Sequence, residues 1–158
     1  MSGNKIFFGT NRQIIQEKPA KLGNPYNADR PYYFRVGEVN VKKTGESWKD
    51  AGKAYKCGRP VLYPEKPDPG NPAKEVLGSS RLFQSLNVTM REDPRDVLIF
   101  LHGFASPFEG AMERAAELRD QYLSPQTNPN TGILEKRGRE PLVFAFSWPS
   151  DGKVAGLA

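Results

Sequence analysis

The sequence predicts an α/β fold, in which strands and helices alternate around a sheet. Two short stretches, Val97–Leu101 and Leu142–Phe146, are wholly apolar and rich in residues that favour β-structure. A helix is predicted between them over Phe108–Leu123, because apolar side chains recur there at helical spacing. This order is that of a strand–helix–strand unit with parallel strands. Strands without polar residues are typical of parallel sheets that are covered on both faces.

The composition is that of one globular domain. The 158 residues are 37% hydrophobic and 26% charged, which excludes disordered and fibrous proteins. The net charge is +5, but the 23 Lys and Arg residues are interspersed with 18 Asp and Glu residues. A mixed, solvated surface accounts for this charge better than a nucleic-acid site does, so we expect no nucleic-acid partner.

Residues that bind metals or form disulfides are scarce. Cys57 and His102 are the only cysteine and the only histidine, so we expect no internal disulfide, no metal site and no cofactor. No stretch has the pattern of a signal peptide or the apolar length of a membrane span. We therefore expect a cytoplasmic protein without a membrane partner.

The N-terminal part is predicted to contribute two strands. Lys5–Phe8 is a short apolar run that ends in a turn, and Tyr32–Val41 is a strand whose apolar residues change parity at Gly37. A β-bulge at Gly37 would restore a single buried face. Asn11–Arg30 shows no sustained period and is predicted to be a loop.

Three further features complete the local predictions. Lys42–Leu77 and Ser124–Glu140 are rich in proline or glycine and are predicted to be surface loops. Ser79–Met90 has one apolar side and a serine near its start, which predicts a helix. For the central helix we expect a capping box, in which the Ser106 hydroxyl accepts from the Glu109 N–H.

Three stretches of the chain match, in residue content and in order, the pattern of a known protein family. They are Ile6–Arg12, then Val97–Gly103 with the helix residues Phe108-Glu109 and Ala115-Ala116, and finally Phe146–Ser150. They resemble the α/β-hydrolase superfamily, and more closely a bacterial branch known as a domain of unknown function. The resemblance implies a partial α/β-hydrolase-like sheet with a strand–oxyanion loop–helix–strand unit, preceded by a short strand and a bulged strand.

The resemblance also implies which residues form a site. The backbone N–H of Phe104, flanked by Gly103, would be the oxyanion donor, and His102 would support this loop by hydrogen bonding. Gly103 permits a sharp turn at the carboxyl end of a strand, where α/β proteins bind ligands. Ser147 and Trp148 follow the next strand and are candidates to line a pocket. No residue is assigned a catalytic role.

The sequence departs from the superfamily in one large respect. Members place a nucleophilic serine in a G-x-S-x-G elbow, followed by an acid and a late histidine. No serine here lies in that pattern, and His102 belongs to the oxyanion loop. Because a base needs a nucleophile within about 3 Å, loop support is the stronger interpretation of His102. The chain 1–158 thus looks like a single incomplete domain, the N-terminal half that ends before the elbow, whether from a truncated gene or a split protein.

Functions of different classes follow from these residues. We expect the N-terminal portion of a serine hydrolase that acts on esters or similar small acyl substrates and that supplies the oxyanion loop but is inactive alone. The alternative is a small α/β binding module that uses the crevice around Gly103 and Trp148 without chemistry. A basic surface that binds nucleic acid is a third interpretation.

The strand order implied by the resemblance also predicts an exposed edge. In that order Val97–Leu101 lies between Leu142–Phe146 and the strand that carries the nucleophile. With that third strand absent, an apolar strand would keep unpaired N–H and C=O groups on one side. We therefore expect self-association through this edge.

Overall fold

The computed structural model describes residues 4–26, 34–45, 54–63, 78–103, 106–135 and 139–150. Within these ranges the chain is mixed α/β, as predicted. The helices are α1 (Gly78–Glu92) and α2 (Phe108–Leu123). The strands are β1 (Lys5–Thr10), β2 (Arg12–Glu17), β3 (Ala20–Tyr26), β4 (Arg35–Lys43), β5 (Tyr55–Cys57), β6 (Val61–Leu62), β7 (Val97–Leu101), β8 (Gln126–Thr127), β9 (Leu134–Glu135) and β10 (Leu142–Ser147).

The central sheet has the order β5-β4-β1-β10-β7, and β6 pairs with β4 as well. Strands β1, β10 and β7 are parallel, with Phe144 opposite Phe7 on one side and Ile99 on the other. Strand β4 runs antiparallel to β1. The predicted strand–helix–strand unit is therefore confirmed, since β7 and β10 are adjacent, parallel and joined through α2.

The two helices pack against opposite faces of this sheet. Phe7 and Leu142 join Leu82 of α1 in one cluster, whereas Phe8 belongs to the larger cluster that contains α2. The ring of Phe8 meets that of Phe108 edge-to-face, with centroids 4.9 Å apart. Because neighbouring residues of a strand point to opposite faces, β1 is buried on both.

The predicted bulge at Gly37 is wrong. The β1–β4 register is continuous, and Gly37 lies opposite Phe8. Val36 packs in the α1 cluster and Val39 in the α2 cluster, so the two parities fill two covered faces and no bulge is needed. A Cβ added to Gly37 would lie 2.2 Å from the carbonyl oxygen of Val61, which explains the glycine by the close approach of β6.

The predicted loops contain strands that sequence patterns did not reveal. Most of Asn11–Arg30 forms the β2–β3 hairpin, which turns at a cis Lys18–Pro19 bond. Its register shifts twice, and this breaks the alternation by which a strand is read from sequence. Lys42–Leu77 contains β5 and β6, and Ser124–Glu140 contains β8 and β9, but these strands have only two or three residues. Helix α1 is confirmed in its predicted place.

The predicted capping box is wrong as well. Helix α2 starts at Phe108 with Pro107 at the N-cap and no side-chain capping bond. The backbone of Ser106 is engaged elsewhere: its carbonyl accepts from Arg12, and its N–H donates to Ser150 Oγ. Tertiary contacts thus override the local pattern.

Strand β7 is not buried on both faces, contrary to prediction. Leu98 and Phe100 pack against the α2 cluster. On the opposite face Val97, Ile99 and Leu101 are 49%, 65% and 62% exposed. Strand β7 is also an edge strand of the sheet within the described residues.

Candidate functional site

The candidate site lies where the three parallel strands end together. Thr10 of β1 pairs with Ser147 of β10, and Leu101 of β7 pairs with Phe146. The next residues along the chain, His102 and Trp148, therefore meet at one edge of the sheet. This is the edge at which α/β proteins bind ligands.

His102 is anchored through its ring. The residue is 2% exposed, its Nδ1 is hydrogen-bonded to the carbonyl of Gly103, and the backbone N–H of Trp148 donates to Nε2 over 3.0 Å. The imidazole stacks on the Trp148 indole with centroids 4.2 Å apart. Since Nε2 accepts and Nδ1 faces a carbonyl, the ring is the neutral tautomer with its proton on Nδ1.

Electrostatics also favour the neutral ring. Burial lowers the pKa of His102 and the positive charge of Arg12 lowers it as well, and together they outweigh the hydrogen bonds with Gly103 and Trp148, which raise it. Both ring nitrogens are used in backbone hydrogen bonds, and neither contacts a serine hydroxyl of the described chain. The part that His102 plays in a reaction stays a prediction.

The loop after His102 carries the remaining predicted donors. Gly103 is exposed, and a Cβ added to it would meet nothing within 4 Å. Packing alone therefore does not require glycine at this position. Phe104, whose N–H is the predicted oxyanion donor, lies outside the described residues, and both assignments stay predictions.

Ser147 and Trp148 have different surroundings. Ser147 is fully buried; its hydroxyl accepts from Arg12 Nε over 2.9 Å, and its carbonyl accepts from the Thr10 hydroxyl over 2.6 Å. Trp148 is only partly buried and continues a row of aromatic rings. Phe34 stacks on Phe146 at 5.1 Å, and the Phe146 centroid is 5.9 Å from that of Trp148. We call Phe34, Phe146 and Trp148 the aromatic row; pocket lining by Ser147 and Trp148 stays a prediction.

Arg12, a central residue of this edge, was not predicted from the sequence. Its side chain is 1% exposed and donates to the hydroxyl of Ser147 and to the carbonyls of Asn24, Ser106 and Ser150. Burial lowers its pKa to about 10, so it stays protonated at neutral pH. Three of these four acceptors lie 94 to 138 positions away in the chain, so no local pattern could show the role.

The described residues offer neither a metal site nor a membrane-spanning helix. No group of three or more His, Cys, Asp or Glu residues that could hold a metal ion occurs in the described ranges. Likewise, neither α1 nor α2 combines the length and apolarity needed to cross a membrane.

The chain matches one known protein family over half of its length. A family model described as "Alpha/beta hydrolase of unknown function (DUF900)" matches residues 80–158. No curated protein and no solved structure gives a significant match. The matched range holds nearly all of α1 together with β7, α2 and β10, and it includes His102, Gly103 and Trp148. The chain belongs to this family of α/β hydrolases.

Proposed function

We propose that this chain supplies the oxyanion loop of a serine hydrolase that acts on esters or similar acyl compounds, and that it is inactive alone. One observation carries the proposal. Gly103 directly follows His102 at the carboxyl edge of the parallel strands, and the residues on either side of 103–105, His102 and Ser106, are hydrogen-bonded to Trp148 and Ser150, just after β10. An oxyanion donor has to be preorganised in this way.

The chemistry assigned to the loop is charge stabilisation. When a serine attacks an acyl carbonyl, negative charge develops on the carbonyl oxygen, and the Phe104 N–H would donate to it. One such donor is typically worth about 10²–10³ in turnover. The protonated Arg12, close enough to lower the pKa of His102, adds a favourable field.

The aromatic row supports an acyl substrate. Phe34, Phe146 and Trp148 form a partly exposed apolar surface beside His102 at the same edge of the sheet. An apolar wall with a few polar groups at one end is the usual character of a small-molecule site. We therefore propose a small acyl compound as substrate. The single, partly buried thiol of Cys57 fits a cytoplasmic enzyme.

The nucleophile is proposed to come from outside the described residues. The hydroxyls of Ser147 and Ser150 accept hydrogen bonds from Arg12 and from the Ser106 N–H, respectively. His102 bonds only to backbone groups among the described residues. This arrangement lacks the serine–histidine contact that activates a nucleophile.

The proposal is tested by acylation of a fusion protein, in which this chain precedes the elbow-bearing half of a longer hydrolase of the same family. Replacing the Phe104 amide by an ester removes the N–H and also weakens the Gly103 carbonyl, to which His102 Nδ1 is hydrogen-bonded. We expect about 10²–10³ slower acylation of the elbow serine by p-nitrophenyl butyrate. The Phe104→Ala variant keeps the N–H and should retain most of the rate.

The same amide-to-ester replacement at Ala105 is the matched control, and it should leave the rate nearly unchanged. Equal losses at Ala105 and Phe104, or no loss at Phe104, would contradict the assignment of the oxyanion donor. Tight binding of small acyl compounds with no acylation in any fusion would instead favour the non-catalytic binding module.

A further inference from the structure

The connection between β7 and α2 is fixed to the rest of the fold at both ends. At its start the His102 ring accepts from the Trp148 N–H. At its end the Ser106 N–H donates to Ser150 Oγ over 3.0 Å, and the Ser106 carbonyl accepts from Arg12 Nη2 over 2.7 Å. The second anchor therefore depends on a residue from the start of β2.

Arg12 joins three separate parts of the chain at this anchor. Its Nε donates to Ser147 Oγ over 2.9 Å, and its Nη1 donates to the Ser150 carbonyl over 3.0 Å and to the Asn24 carbonyl over 3.4 Å. The Ser150 N–H donates to the same Asn24 carbonyl. A planar fork with five donors suits such a junction, whereas a lysine offers a single ammonium group.

The acceptors around Arg12 are all neutral. Within the described part of the chain, no carboxylate oxygen lies within the 4.0 Å of an ion pair with its guanidinium group. Glu109, exposed at the start of α2, acts on it from farther away. Buried cations are normally paired with an anion, so this charge is only weakly compensated in the described structure.

We propose that Arg12 is a positioning residue that holds the Ser106 end of the β7–α2 connection and places a buried positive charge beside it, so that this edge favours an anionic oxygen. The catalytic meaning of this inference rests on the proposed function, but the anchor itself does not. Arg12 acts through the connection, because four of its five N–H donors are occupied by backbone and serine oxygens.

The two parts of the proposal, geometry and charge, have separate readouts in the 158-residue chain. Hydrogen exchange of the Ser106 amide reports the anchor, with the Phe8 amide in the buried strand β1 as the reference for global opening. The pKa of His102, followed by NMR, reports the charge. Arg12→Gln should speed Ser106 exchange by about 10- to 100-fold relative to Phe8, since charge-assisted hydrogen bonds are lost, and should raise the pKa of His102.

Arg12→Lys separates geometry from charge. The ammonium group keeps the charge, so the pKa of His102 should stay low, but it cannot replace the fork, and Ser106 exchange should still rise. Arg119→Lys is the matched control. Arg119 is also buried, at 4% exposed against 1% for Arg12, lies on α2 and is paired with Asp120 and Glu140; its substitution should leave both readouts unchanged.

The inference is overturned if Arg12→Lys leaves Ser106 exchange unchanged, or if Arg119→Lys accelerates it equally. It is also overturned if the pKa of His102 is the same in folded Arg12→Gln and wild type. If Arg12→Gln does not fold, the comparison of the two lysine variants still decides the anchor. Because neither readout requires catalysis, failure of the anchor is distinguishable from failure of the fusion protein to acylate.

Discussion

Strands β1 and β7 have similar apolar sequences but very different surroundings. Ile6, Phe7 and Phe8 of β1 are at most 7% exposed, whereas Ile99 at the centre of β7 is 65% exposed. Strand β1 lies between β4 and β10 with a helix on each face, whereas β7 borders only β10 in the described sheet. An apolar sequence thus predicts that a strand is buried, but the neighbouring strands and helices determine how much of it is buried.

The largest expected difference between the two strands is in stability. Phe8→Ala should lower the free energy of unfolding by about 3–5 kcal/mol, because it removes a fully buried ring and leaves a cavity. Ile99→Ala should cost less than about 1 kcal/mol, because most of that side chain already contacts solvent. Urea denaturation of both variants measures the difference, and equal costs would show that β7 is covered in solution.

The next largest effect is expected on self-association. It distinguishes β7, which is paired on one side in the described sheet, from β1, which is paired on both sides. We propose that β7 pairs with another copy of the chain through the edge that is unpaired in the described sheet, as unprotected apolar edges do. Ile99→Lys should weaken this association at least about tenfold, since it places a charge in the contact. Size-exclusion chromatography with light scattering at tens of micromolar checks the prediction, with Lys5→Gln in β1 as control. A monodisperse wild-type monomer would argue against it.

The end of β7 is held by His102. We expect this residue to make a smaller, pH-dependent contribution to the free energy of unfolding. Burial lowers the pKa of His102 below 6.5, so on acidification the unfolded chain takes up a proton before the folded chain does. The contribution of the neutral His102 to the free energy of unfolding is complete above about pH 6.5. Below that pH it declines, by at most about 1.4 kcal/mol per pH unit.

Urea titrations between pH 7.5 and 5 should therefore show a decline in wild type that is reduced in His102→Gln. The glutamine amide cannot titrate, yet its oxygen can accept from the Trp148 N–H. Identical slopes in the two proteins would mean that His102 is protonated as readily in the folded chain as in the unfolded one.

The smallest expected effect concerns Ser106. Its side chain makes no capping bond to α2, and its backbone makes the anchoring contacts. Ser106→Ala should therefore change the free energy of unfolding by less than about 0.5 kcal/mol. A loss near 1 kcal/mol, the usual cost of a missing N-cap, would show that the hydroxyl caps the helix in solution.

The sequence predicted those parts of the fold that depend on local pattern. The apolar runs of β7 and β10 and the periodic residues of α2 identified the parallel unit, because burial and periodicity are properties of short segments. The predicted β-bulge at Gly37 was wrong because Val36 and Val39, on either side of it, pack on the two covered faces of the sheet. Which faces are covered depends on helices far away in the chain.

The candidate site was predictable only where it follows a strand end. His102, Gly103 and Trp148 were predicted as site residues because they come directly after β7 and β10, and the structure brings His102 and Trp148 into contact. Arg12 was missed because its acceptors, among them Ser106 and Ser147, are brought to it by tertiary structure alone. Nothing in the sequence around Arg12 distinguishes this buried guanidinium from a solvated one.

The most direct test of the central claim is hydrolysis of p-nitrophenyl esters by the purified 158-residue chain, compared with its Phe104→Pro variant. That variant lacks the proposed N–H donor. If the chain supplies the oxyanion loop and no nucleophile, the two rates should agree within error, and a fluorophosphonate probe should label no serine. A clear rate in the unaltered chain that is lost in Phe104→Pro, with Ser106 or Ser147 labelled, would contradict the account.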